Sequence, residues 1–163
     1  MSSHRPPAEV VSFDAKTTED LVDLLNQSLA DTLDLAYQTR RARWNVRGPD
    51  SWGLNLLFDQ LYGQLAIYGD GFAERVATAG GHRLDTSHAV GSAAGLIEYP
   101  LDVVDGKLHM GTLVDHYGEY AGRMRKGVKK AGRLGDQPTA DFYATISHAM
   151  DKALWMLTAH EDA

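Results

Sequence analysis

At 163 residues the chain has room for one domain with a single substantial core. Hydrophobic residues at 44% and charged residues at 23% are ordinary for a globular protein, and a formal net charge of −6 offers nucleic acid no general attraction. The absence of cysteine excludes disulfides, thiolate metal sites and cysteine nucleophiles and fits a reducing cytoplasm, while no apolar run approaches the roughly 20 residues that a bilayer span needs.

Residues 1–16 read as a short tail, with His4, Arg5 and Pro6-Pro7 but no apolar signal-peptide core. Residues 17–163 carry four stretches of helical periodicity and no sustained alternation, so the fold class is all-α. The first helix opens at Thr17 with Asp20 as an approximate capping box, follows Leu21, Leu25, Leu29, Leu33 and Tyr37, and stops near Val46 before Gly48-Pro49. The second opens at Asp50 or Ser51, follows Leu54, Leu57, Phe58, Leu61, Leu65, Tyr68, Phe72 and Val76, and stops at Gly80-Gly81. A long connection from His82 to about Val104, with room for a short helix, lets the third helix cross to the far side of a four-helix bundle, as in one-crossover ferritin-like folds. The third helix runs from about Asp105 to before Gly135 through Met110, Leu113, Tyr117, Tyr120 and Met124. The fourth follows Pro138-Thr139 through Phe142, Ile146, Met150 and Leu157.

No Glu-x-x-His pair of an intrahelical-bundle di-metal site occurs. The second helix instead places Asn55 and Asp59, then Asp70 and Glu74, four residues apart on one face. Asp59 and Asp70 match in phase but are separated by a rise of about 16 Å, too far to share an ion within one helix. The set is symmetric about a point between residues 64 and 65. An antiparallel copy would therefore set Asn55 and Asp59 of one chain opposite Glu74 and Asp70 of the other, twice per two-fold dimer, with small Gly63 and Ala66 near the axis. The other reading of these acids is a solvated helix face.

The stretch from Leu25-Asn26-Gln27 to Gly81, centred on Arg43-Trp44-Asn45-Val46-Arg47-Gly48-Pro49, resembles the Dps mini-ferritins. Leu57-Phe58-Asp59, Asp70, Ala73-Glu74-Arg75, Tyr99-Pro100-Leu101-Asp102, Thr139-Ala140-Asp141 and Asp151-Lys152 extend the likeness over nearly the whole chain. The resemblance implies a ferritin-like four-helix subunit, a homo-dodecameric shell, peroxide-driven iron oxidation at two-fold interfaces, iron storage and, in many members, DNA binding. It maps the family's iron ligands onto Arg43, Asn55, Asp59, Asp70 and Glu74. The three carboxylates match; both histidines are replaced. Guanidinium has no lone pair for iron, and Asn55 keeps only a neutral carbonyl oxygen. Two arrangements follow. Either Arg43 turns inward and supplies the cation that the clustered carboxylates need, or it turns outward and leaves an oxygen-only site for a weakly held ion.

Asp136, Asp141 and Asp151 resemble acidic positions near the family's three-fold ion channels, although each also suits a loop or a first helical turn. The basic clusters Arg40/Arg41/Arg43/Arg47 and Arg123/Arg125/Lys126/Lys129/Lys130/Arg133 lie at helix C-termini, where the dipole favours cations; facing outward, they could contact phosphates. A lysine-rich tail is absent, so DNA binding is expected to be weak, with nucleoid association only if DNA is bound. The seven histidines are expected as surface or capping groups rather than ligands, and Trp44, Trp52 and Trp155 as core or interface aromatics. The leading expectation is a cytoplasmic iron-handling shell with impaired oxidation and no membrane partner. The alternative is a non-enzymatic shell for mineral nucleation or DNA protection, and a third is another metal or oxidant at an oxygen-only site.

Overall fold

A computed structural model describes residues 12–81, 91–96, 98 and 106–161. Four long helices account for most of them: α1 (Ala15–Asn45), α2 (Ser51–Thr78), α3 (Gly106–Arg133) and α4 (Gln137–Glu161). They pair as two hairpins, α1 on α2 and α3 on α4, with α3 also lying on α1 and α4 touching α2. This is the one-crossover four-helix bundle expected from the periodicity. Residues 91–93 of the crossover are helical, whereas residues 1–11 of the tail and most of the segment from His82 to Val104 lie outside the described residues.

Helix ends follow local chemistry. The N-cap of α1 is Asp14, three residues before the expected Thr17: its carboxylate accepts the Thr17 N–H at 2.7 Å, which holds Asp14 ionised below the usual carboxylate range. Helix α2 ends in a left-handed Gly80 (φ 82°), and the Gly81 N–H reaches back to the Val76 carbonyl at 3.0 Å. The same closure ends α3 at Gly135 (φ 82°), with the Asp136 N–H on the Ala131 carbonyl at 3.0 Å. Asp136 then caps α4 through the Thr139 N–H at 3.1 Å, so the two helices turn tightly.

The core runs the length of the bundle and includes Leu25, Leu35, Phe58, Leu65, Phe72, Tyr117, Tyr120, Tyr143, Ile146 and Met150. Burying tyrosines requires partners for their hydroxyls, and α1 supplies them: Ser28 to Tyr143 at 2.5 Å, Thr32 to Tyr120 at 2.6 Å and Thr39 to Tyr117 at 2.9 Å. Burial pushes all three phenols up, keeping them neutral. Gly127 is small because a Cβ there would overlap the Tyr143 ring. One expected core member falls outside. Steps of four advance 40° per step around a helix, so the stripe Leu21–Leu25–Leu29–Leu33–Tyr37 drifts off the core, leaving Leu33 half-buried and Tyr37 60% exposed. Leu35, Ala36 and Ala42 take over.

Candidate metal centre

Arg43 ends α1 and Asp59 sits two turns into α2. Their contact bridges the α1–α2 hairpin, with Arg43 Nε 3.1 Å from Asp59 Oδ1. The guanidinium Nε is shut off from solvent but makes no directed hydrogen bond, so the attraction is one of charge, while the rest of Arg43 and most of Asp59 remain open. Asn55 donates its amide to the Ser51 carbonyl of its own helix at 2.8 Å. Asp70 and Glu74 are exposed further along the same face of α2. A Cβ added at Gly63 would meet nothing, so this face is open for a close backbone at its centre.

Among the described residues of one protomer, no three histidine, aspartate or glutamate side chains gather tightly enough to hold a metal. Asp59 is brought to Arg43 but not to Asp70 or Glu74, as the helix rise requires. The candidate channel acids are also separate. Asp136 uses both oxygens on Thr139, at 3.1 Å and 2.6 Å; Asp141 accepts from Gln137 at 2.8 Å; Asp151 faces Arg125 at 3.5 Å.

Of the two places expected for Trp44, Trp52 and Trp155, core or interface, the protomer core is excluded: they are 57%, 77% and 69% exposed. The histidines need a correction. His109 and His116 are buried rather than superficial, because both fall on the inner face of α3. His116 Nδ1 lies 2.5 Å from Gln38 Oε1, and Gln38 in turn donates to Asp34 at 2.9 Å. Burial lowers the His116 pKa, against the pull of Glu119, Asp115 and Asp34. Burial likewise raises that of Asp34, partly offset by the Gln38 hydrogen bond.

The basic cluster on α3 is not a free cationic surface either. Arg123 turns inward to the almost fully buried Asp31 at 2.8 Å and to Glu119 at 3.0 Å. Between them, Asp31 and Arg123 hold one residue of the crossover by both backbone groups: the Gly95 N–H on Asp31 at 2.9 Å and the Gly95 carbonyl on Arg123 at 2.5 Å. Gln27 adds a third tie, to the Ala93 carbonyl at 2.8 Å. Sequence inspection missed this clasp; its one signal was an aspartate inside the otherwise apolar run Leu29-Ala30-Asp31.

A ferritin-like domain family matches residues 22–162. The DNA protection during starvation protein of Agrobacterium fabrum is 38% identical over 160 residues, covering 98% of this chain and 97% of that protein. A crystal structure from Vibrio cholerae, described as a Dps protein within a broad superfamily of ferritin-like diiron-carboxylate proteins, superposes with a TM-score of 0.85 at 27% identity over 96% of this chain and 98% of that one. The tetragonal form of Mycobacterium smegmatis Dps gives 0.87 at 26% identity over 98% and 94%.

Proposed function

The chain belongs to the Dps family of ferritin-like proteins, and from that premise we propose that twelve copies form a shell that takes up and stores iron as cargo, with a two-fold site that oxidises it slowly. The observation that carries the reading is the 3.1 Å contact between Arg43 and Asp59. It puts a permanent cation where the resemblance expects an imidazole.

The donor set is then Asp59 and the Asn55 carbonyl from one chain with Asp70 and Glu74 from its two-fold mate. Three carboxylates are a fit for a cation, and oxygen donors suit hard ions. The absence of imidazole and the presence of guanidinium make this a poor fit for tightly held redox iron. Arg43 would neutralise part of the carboxylate cluster, hold Asp59 in place and let the two chains meet without a metal. Ferrous iron arriving at the site would have to displace a charge that does not leave by deprotonation.

DNA protection, named for the Agrobacterium relative, is a secondary role on this reading. Of the six cations at the end of α3, Arg123 is committed to Asp31 and Arg125 to Asp151, while Lys130 and Arg133 line one cleft with Asp20 and Asp23. Among the described residues that leaves Lys126 and Lys129 exposed with no acid paired to them, too few for a strong phosphate interface. No described helix is long and apolar enough to cross a membrane.

Sedimentation equilibrium combined with stopped-flow oxidation of ferrous iron by peroxide tests the whole reading. The expected result is a mass near twelve subunits with slow oxidation. A monomer at micromolar concentration would remove the shell, and fast oxidation of two tightly bound irons per site would remove the role given to Arg43.

A further inference from the structure

The outer face of α2 carries more than carboxylates. Trp52, Leu56 and Ile67 lie along it at 77%, 58% and 69% exposure, and nothing among the described residues covers them. Trp52 is the most exposed of the large apolar side chains among the described residues. At the other end of the same helix, an open cleft of about 770 Å³ lies between the start of α1, the end of α2 and the α3–α4 turn. Phe13, Leu21 and Phe142 give it apolar walls, while Glu74, Thr78 and Asp136 give it acceptors.

The antiparallel register that joins Asp59 to Asp70 and Asn55 to Glu74 also fixes where Trp52 goes. Residue positions that sum to 129 face each other, so Trp52 lands opposite Ala77, between Glu74 and Thr78 on the rim of the cleft. Charge complementarity favours that register: Arg43 lies beside Asp59, and the register would bring Asp70 of the other copy toward it. Within that pairing Tyr62 faces Ile67 and Gly63 faces Ala66, so the apolar and small residues match as well. We infer that the indole of Trp52 seats in the cleft of a second copy of this chain, its ring against the apolar wall and its N–H toward the acceptors, and so closes the cleft beside Glu74. The inference rests on the two-fold contact proposed above and adds a partner-supplied wall to the carboxylate site. An indole suits the place because it combines a large apolar face with one donor.

Two measurements on the full chain test it. In the Trp44→Phe/Trp155→Phe protein, Trp52 is the only indole. Once sedimentation confirms assembly, its emission should be blue-shifted and its quenching by acrylamide several-fold weaker than for free indole. The chain has no cysteine, so Trp52→Cys/Thr78→Cys should oxidise to a disulfide-linked pair of chains. Neither single substitution should, because each position lies about 35–40 Å from its own symmetry mate along the helix pair. An assembled protein with water-exposed Trp52 emission, or with no cross-link in the double variant, overturns the inference and leaves the shell standing. A monomer overturns both.

Discussion

Arg43 on α1 and Asp59 on α2 face each other at 3.1 Å, guanidinium Nε to carboxylate Oδ1, across the end of the first helical hairpin. A metal-binding histidine would be neutral at neutral pH and would leave the acids needing an ion. Arginine brings the positive charge with it, so the acidic face of α2 carries a built-in counter-charge before any metal arrives.

Exchanging that charge for donors should reverse the behaviour. Arg43→His together with Asn55→His adds two imidazoles and removes a competing cation. Ferrous-iron affinity, read by anaerobic calorimetry, is expected to rise at least tenfold, and peroxide-driven oxidation to accelerate with it. Unchanged affinity would mean that the carboxylates of the two chains do not converge.

Removing the charge alone should act on assembly. Arg43→Ala leaves Asp59, Asp70 and Glu74 facing one another across the two-fold contact without their cation. Sedimentation at neutral pH should show a weakened contact, restored by a divalent cation or by mild acid. Assembly indifferent to both would mean that the acids are solvated and apart.

Retention of duplex DNA in a gel-shift assay should be weak and should disappear at physiological salt, because Arg123 is turned inward to Asp31, Arg125 lies against Asp151, and Lys130 and Arg133 share a cleft with Asp20 and Asp23. Tight retention at that salt would overturn this account of the cluster.

Arg123→Ala should strand Asp31, which is 2% exposed, and release Gly95. Leaving one partner of a buried pair uncompensated costs about 3 kcal/mol, so denaturant unfolding should shift accordingly. Limited proteolysis should begin to cut within residues 91–96. Arg123→Lys should rescue only in part, because an ammonium lacks the planar fork that reaches Asp31, Glu119 and Gly95 together.

Acid should weaken the bundle through His116. Its folded pKa lies below the ordinary 6.5 because it is buried, so the unfolded chain binds more protons just below pH 6.5. Stability from this group is complete above about 6.5 and declines as pH falls through that value. Thermal unfolding should therefore show a drop on acidification that is smaller in His116→Gln. Asp34, raised by burial, works in the opposite sense in the carboxylate range, gaining stability for the fold as it protonates. An identical pH profile in the variant would show that His116 does not titrate against burial.

Sequence by itself determined the four helices and their stops. Apolar spacing at 3.6 residues per turn and the glycines at 48, 80 and 135 act locally, and each appears in the structure where a positive φ is required. It also determined which residue types stand at the candidate site, since Arg43 and Asn55 standing where the resemblance expects imidazoles is a matter of identity, not geometry. The face of α2 that carries Asp59, Asp70 and Glu74 was legible for the same reason, because helical phase is local. What lies between helices was not. Only the tertiary structure brought Arg43 to Asp59 across sixteen residues of chain, joined Asp31 to Arg123 across ninety-two, and turned His109 and His116 inward. Those relations depend on which helix lies beside which and at what rotation. A helix's own period does not specify them; they emerge when side chains of different helices compete for the same interior space and buried polar groups must find partners there.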